Sequence, residues 1–267
     1  MFNQKFFATC IDIASKYHAS LLLGVRVTIM VALTGTIIGL ALGLLIGGTR
    51  AIKLDIQASS TSKTIKKIYD VIATVYIEIF RGTPMMVQGA FIYYALLHVF
   101  NWTPNVAGTF VISINTGAYM SEIIRGGIQS VDVGQVEAAR SLGMSSMQTM
   151  FTVILPQAIK NAFPAIGNEF VVNIKDSSVL SIISMTDLMY QSSRIAGSTY
   201  HFTESYFVAA CVYLVLTLTC SIILRHIEKR MNKVATSIPQ SDTTTESQKI
   251  APKSEKKQRV LPKRRKK

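Results

Sequence analysis

Charge is what this 267-residue chain has little of. Asp, Glu, Lys and Arg make up 16% of it, against roughly 25% in an ordinary soluble domain. The shortage is uneven: long stretches almost lack charge, and the charges gather between them. A charge in hydrocarbon is costly, so the pattern excludes an ordinary soluble domain and points to a lipid bilayer. Cysteine is also scarce. Cys10, Cys211 and Cys220 make no CxxC and no metal-ligand spacing. They read as buried apolar residues and imply no zinc or redox chemistry. No HExxH run occurs, and His18, His98, His201 and His226 are scattered towards span ends. A membrane-embedded metalloenzyme would need such a cluster. There is no Walker A segment, the motif that cradles a nucleotide's phosphates. No internal repeat is visible. Ion-coupled secondary transporters and channels often carry inverted repeats with paired broken helices, so that alternative is disfavoured. The first twenty residues hold Lys5, Asp12 and Lys16 and no clean apolar core, unlike a cleavable signal peptide.

What is present is a series of apolar stretches. Crossing ~30 Å of hydrocarbon takes about 20 apolar residues in a helix. Residues 21–47 qualify, with Arg26 the one charge near their start. Residues 68–100 are too long for one straight crossing and are interrupted at Arg81-Gly82-Thr83-Pro84, which predicts a bent or unwound span. Residues 106–124, 154–175 and 205–224 complete five spans. Gly35, Gly39, Gly43 and Gly47 recur every fourth residue in the first span and predict close helix packing.

An odd number of spans puts the termini on opposite sides. Arg50, Lys53, Lys63, Lys66 and Lys67 lie between spans one and two, Arg125 and Arg140 between three and four, and Arg225, Lys229 and Arg230 after five. The loops 101–105 and 176–204 hold Asp176, Asp187, Arg194 and Glu204 and no Lys. The positive-inside rule therefore places the N-terminus outside and the C-terminus in the cytoplasm. Trp102 falls where an interfacial aromatic anchor belongs. Three segments result: 1–19 outside, a membrane domain over 20–230, and a basic tail over 231–267. The net charge is +13, and the tail holds eleven Lys or Arg against three Asp or Glu. Such a tail could meet an anionic membrane surface or nucleic acid, but reads as a solvated, disordered extension with no nucleic-acid role.

The loop between spans three and four carries the functional signal. Glu137, Ala138, Ala139 and Arg140 favour a helix, and Gly143 ends it or admits a close backbone. Ser145 with Gln148 is a capping-box spacing that starts a second helix. Two short helices on a cytoplasmic face make a protrusion suited to docking a soluble partner. The run Glu137-Ala138-Ala139, then Gly143, then Val153-Ile154-Leu155-Pro156 resembles the EAA loop of ABC importer permeases, with Val153 in place of Ile as the one departure. Arg81-Gly82-Thr83-Pro84 with Gln88, Ala118-Tyr119 with Glu122 to Ile128, and Lys175-Asp176-Ser177-Ser178 look like segments of the polar amino acid branch of that family. The resemblance covers about residues 20–230.

That resemblance implies an all-α, polytopic type I importer fold of about five transmembrane helices in a bacterial plasma membrane. It implies transport of glutamine, glutamate or a basic amino acid, delivered by an extracellular substrate-binding protein. It implies pairing with a second permease copy or a sister permease. The coupling loop 132–156, with Glu137, Ala138, Ala139, Gly143, Leu155 and Pro156, would dock ABC ATPase subunits. ATP and Mg would sit on those subunits, leaving this chain without a cofactor or catalytic activity of its own.

Glu169 lies 13 residues beyond Pro156, roughly 20 Å into span four at 1.5 Å per residue. A carboxylate at that depth is a functional candidate. It would accept a substrate's ammonium group, or pair with a cation such as Arg26 or Arg81. Asn115, Thr116 and Tyr119 line one side of span three and would either face the pathway or bond neighbouring helices. Lys175 and Asp176 would pair with each other or line an outer gate. Glu137 would contact the ATPase or serve as a helix-start charge.

The tail 231–267 lacks apolar periodicity and cannot bury a core. Deleting everything after Asn232 is expected to leave uptake within about twofold of the full chain; a loss of uptake at normal membrane levels would give the tail a docking or regulatory role.

Overall fold

The computed structural model describes residues 4–52 and 59–236. Beyond Thr236 the basic tail lies outside the described residues. The described residues form helices α1 (Gln4–Lys16), α2 (His18–Ala51), α3 (Ser60–Gly82), α4 (Met85–Phe100), α5 (Pro104–Gln129), α6 (Val133–Ser141), α7 (Ser146–Gln148), α8 (Leu155–Asp176), α9 (Leu188–Thr199) and α10 (Phe202–Thr236). A π-helical turn over Thr149–Ile154 joins α7 to α8, and a 3-10 segment over Ser177–Ile183 follows α8. Helices cover the five apolar stretches: α2, the pair α3–α4, α5, α8 and α10. By length and composition alone, α2 and α10 are apolar enough to span a bilayer. Helix α5 is more polar, with Ser113, Asn115, Thr116 and Ser121 buried inside the bundle, and α8 buries Asn173 there.

The centre of the fold is the contact of α2 with α5. A Cβ added at Gly39 would lie 2.6 Å from Thr116 Cγ2, and one at Gly43 2.7 Å from the Met120 carbonyl carbon. Added methyls at Gly35 and Gly47 would collide with Ile112 Cγ2 and the Ser121 carbonyl oxygen. Helices approach this closely only through glycine. The contacts advance together along both helices, so spans one and three run parallel, as alternating spans must. Helix α8 runs antiparallel to them, with Asn173 near Thr36 and Thr116, and Gly127 over the Ala158 carbonyl oxygen.

The second crossing is broken where Pro84 withholds an N–H. Thr83 is extended, at φ −122°, and α4 restarts after Pro84. The carbonyls freed by the break have partners. Gln88 Nε2 donates to Phe80 O at 2.9 Å and to Thr83 O at 2.8 Å, and Asn115 Nδ2 donates to Phe80 O at 3.1 Å. The break is therefore a fixed feature held by α5. At the other end of the bundle, Asp187 caps α9 by accepting from Tyr190 N–H at 3.0 Å, and Tyr213 of α10 donates to it at 3.1 Å.

Two elements had no counterpart in the sequence reading. Helix α1 is amphipathic and packs Phe6, Cys10 and Ile13 against Leu21, Leu188, Ile195 and Val208. Helix α9 occupies the connection between α8 and α10. The cysteines divide: Cys10 is buried, but Cys211 is exposed on α10. An exposed position on a lipid-facing helix suits a small apolar thiol as well as a core does.

The α2–α5 seam makes a stability prediction. Gly43→Leu puts a side chain into backbone, and overpacking typically costs about 1–3 kcal/mol even where side chains can yield. The variant is expected to be lost from the membrane fraction and to unfold at lower temperature in detergent. Gly48→Leu on the same helix, where an added Cβ meets nothing within 4 Å, is expected to match the parent.

Candidate functional site

The protrusion between α5 and α8 is built by local rules. Asp132 caps α6, its carboxylate accepting from Gly134 N–H at 2.7 Å. Helix α6 ends at Gly143, whose φ of +79° suits glycine. Gly143 N–H bonds Arg140 O at 2.9 Å and Met144 N–H bonds Ala139 O at 3.1 Å, the paired bonds of a Schellman ending. Two residues later the capping box is complete: Gln148 N–H to Ser145 Oγ at 3.3 Å, and Ser145 N–H to Gln148 Oε1 at 2.9 Å. Arg140 donates to Ser146 Oγ at 2.6 Å and braces the two arms of the turn.

The second arm does not stop at the loop. From α7 the chain passes through the π turn into α8 without a break. Leu155 N–H reaches back five residues to Met150 O. Pro156 follows and cannot donate, so the ladder changes spacing just ahead of it. Ala139 is buried, while Glu137, Ala138, Gly143 and Pro156 are exposed and Leu155 is half-buried. Glu137 lies in the middle of α6, so it is not a helix-start charge; Asp132 fills that role.

The protrusion also shows what sequence reasoning missed. Leu142 is 83% exposed at its tip, with Val133, Met147 and Phe151 exposed around it. Exposed apolar side chains of this size on one short segment are the composition of an interaction surface. The available signal was apolar residues flanking Gly143 on a loop already assigned to the cytoplasm.

Among the membrane residues the candidates separate. Asn115 and Thr116 are buried. Asn115 donates to Phe80 O and to Gln88 Oε1 at 2.8 Å. Thr116 donates to Asn173 Oδ1 at 2.9 Å, and Asn173 donates in turn to Thr36 Oγ1 at 2.9 Å. These groups bond helices to one another, the second of the two roles their position allowed. The reason is register: the α5 face that carries them is the face α2, α4 and α8 pack against. Tyr119 is half-buried, with the Arg81 guanidinium 5.4 Å from its ring centre.

Glu169 is half-buried on α8. Among the described residues it forms no ion pair; the observed pairs are Arg50 and Arg125 with Glu122, Lys66 with Asp70, and His201 with Glu204. Arg26 and Arg81, the two cations considered as structural partners, do not reach it. Lys175 is exposed and Asp176 half-buried, and they do not pair. Adjacent residues on a helix point about 100° apart, so that pairing expectation fails on geometry. No group of His, Cys, Asp and Glu suited to a metal occurs among the described residues.

Comparison with known proteins agrees with this architecture. The putative glutamine transport system permease protein GlnP of Rickettsia prowazekii is 37% identical over 221 residues, covering 81% of this chain and 96% of that protein. The glutamine transport system permease protein GlnP of Escherichia coli is 36% identical over 211 residues, covering 78% and 91%. The crystal structure of an amino acid ABC transporter with histidines superposes with a TM-score of 0.72 at 39% identity, over 86% of this chain and all of that one. Residues 58–233 match the family described as the binding-protein-dependent transport system inner membrane component. On that match and these identities, the chain belongs to that family, and is a type I membrane permease subunit of an ABC transporter.

Proposed function

We propose that this chain imports a polar amino acid as the transmembrane half of a binding-protein-dependent ABC importer. Its N-terminus lies outside and its C-terminus in the cytoplasm. ATP is hydrolysed on a separate ATPase chain, whose groove receives α6, Gly143 and α7. An extracellular binding protein delivers the substrate, and a second permease, a copy or a sister, completes the pathway. The carrying observation is the protrusion: a short capped helix, a glycine at positive φ and an exposed apolar tip at Leu142, joined without interruption to α8. The glutamine systems and the histidine-bearing structure among its relatives support a zwitterionic substrate with a polar side chain.

The pathway residues follow from which polar groups are left uncommitted. Glu169 is the group for the substrate's ammonium, because a carboxylate at that depth without a cation needs water or a visiting charge. Tyr119 and Arg81 at the helix break border the same pathway, and Lys175 and Asp176 stand at its outer end. Asn115 and Thr116 hold the walls.

Two variants test this. Gly143→Asp keeps a residue that tolerates positive φ better than most, and an added Cβ meets nothing of this chain within 4 Å. The variant is therefore expected to fold and insert, while uptake and stimulated ATP hydrolysis fall to background; normal uptake would refute the docking role. Glu169→Gln retains shape and removes the charge. Uptake is expected to fall by about tenfold or more, as for a lost charge-assisted hydrogen bond, with the protein still folded and the binding protein still stimulating part of the ATP hydrolysis. Misfolding of Glu169→Gln, repaired by a second change at Arg26 or Arg81, would instead make Glu169 a structural partner.

A further inference from the structure

The inner end of the bundle holds an arrangement that the coupling protrusion and Glu169 leave unused. Glu122 of α5 gives one carboxylate oxygen to each of two arginines. Oε1 accepts from Arg50 Nη1 of α2 at 2.8 Å, and Oε2 accepts from Arg125 Nη2 at 2.6 Å and Nε at 3.1 Å. The Arg50–Glu122 bond is not needed to hold α2 to α5, because the glycine seam already fixes them at backbone contact. What it does fix is the plane of the Arg50 guanidinium, whose other nitrogen is turned to α3. Arg50 Nη2 donates to Thr74 Oγ1 at 3.2 Å.

Helix α3 is fastened unevenly. Its upper part buries Ala73 and Ile77, and Tyr76 donates to Ile114 O. From Ser60 to Ile72 it buries no residue, and Ile65, Ile68, Val71 and Ile72 are exposed. This lower arm meets α2 through polar contacts: Thr49 with Tyr69 along its length, and Arg50 with Thr74 at its root. A segment without buried apolar area is the kind that moves at low cost. It belongs to the broken crossing, and it ends beside the α5 residues that lead into the protrusion.

We propose that Arg50 is a positioning residue for transport: aimed by Glu122, it latches the Ser60–Ile72 arm of α3 to the α2–α5 body through Thr74. Release of the latch lets the arm move when the protrusion is displaced. This rests on the transport reading, since without a coupled partner the arm has nothing to answer. Lysine cannot replace Arg50 here. A single ammonium cannot reproduce the guanidinium's planar fork of fixed donors.

The test uses the complete transporter reconstituted with its ATPase, comparing the parent with Thr74→Ala and Arg50→Lys. Thr74→Ala leaves the Arg50–Glu122 pair intact and removes the acceptor for Arg50, together with the hydroxyl's donation to Asp70 O in the same helix. Amide hydrogen exchange across residues 60–72 is expected to rise about tenfold in both variants, the scale of one hydrogen bond to a charged group. Exchange in α5 should stay unchanged, and ATP hydrolysis should no longer depend on loaded binding protein. Unchanged exchange in the arm overturns the latch. Faster exchange in the arm with normal coupling and uptake overturns the positioning role and leaves a structural contact. Equal loss of protection in α5 also overturns it, because the change then acts on the whole fold. Exchange is readable in the parent whether or not it takes up an amino acid, so failure of the transport reading would show separately, as absent uptake with the latch intact.

Discussion

The distance between α2 and α5 sets the rest of the structure. In a bilayer the lipid is as apolar as a leucine surface, so no hydrophobic force pushes two helices together. Close packing and hydrogen bonds must do it. Glycine at positions 35, 39, 43 and 47 lets the two backbones meet, and only at that distance do short side chains bridge to a third helix. The chain Thr36–Asn173–Thr116 is such a bridge, buried at all three residues. A larger residue at Gly39 would push Thr116 away, and Asn173 would then hold unpaired polar atoms in hydrocarbon. The glycine seam and the polar bridge are thus one constraint, because each loses its purpose without the other.

The broken crossing depends on the same core. Proline and an extended threonine leave carbonyls without a partner in their own helix. They are served by Gln88 and by Asn115, and Asn115 is in reach because α5 is locked in place by α2. A break that would be disorder in an isolated helix becomes a defined geometry, with Arg81 against Tyr119 at its edge.

Much of this was legible in the sequence, and the reasons differ by feature. The span positions, the break at Arg81–Pro84 and the glycine face follow from composition and spacing, which act locally. So do the Gly143 ending and the Ser145–Gln148 box, whose partners lie within five residues. The roles of Asn115, Thr116 and Lys175–Asp176 were not legible. A polar residue in a span looks the same whether it faces a pathway or a neighbour, and the answer depends on the rotation of α5 and α8 in the packed bundle. Helix α1 was missed because it is too short to span a bilayer and Lys5, Asp12 and Lys16 interrupt its apolar residues, of which Phe6, Cys10 and Ile13 are buried. The Arg50–Glu122 contact joins residues 72 positions apart. Nothing in the one-dimensional pattern links them.

The shape of α8 bears on how a docked motor would reach the membrane interior. The chain from Ser146 to Asp176 is continuous helix, changing only from α to π and back. Its lower end is the proposed docking arm and its upper half carries Glu169. A helix transmits axial displacement well, because shortening it means breaking backbone bonds in series. Where the helix is π, the bond from Leu155 runs to Met150 instead of the residue after it, and the turn is wider and less favourable. Pro164, inside α8, is one compliant point because it cannot donate to the ladder; the π turn is the one next to the protrusion, below the levels at which Ala158 meets Gly127 and Asn173 meets Thr116. Bending there tilts the docking arm without disturbing the seam. Displacement beyond what the turn absorbs would carry α5 along with α8, because their contacts are too close to slide. On the proposed docking role, the bundle core and Glu169 would move as one body, and the arm of α3, held by few contacts, would be the part that responds.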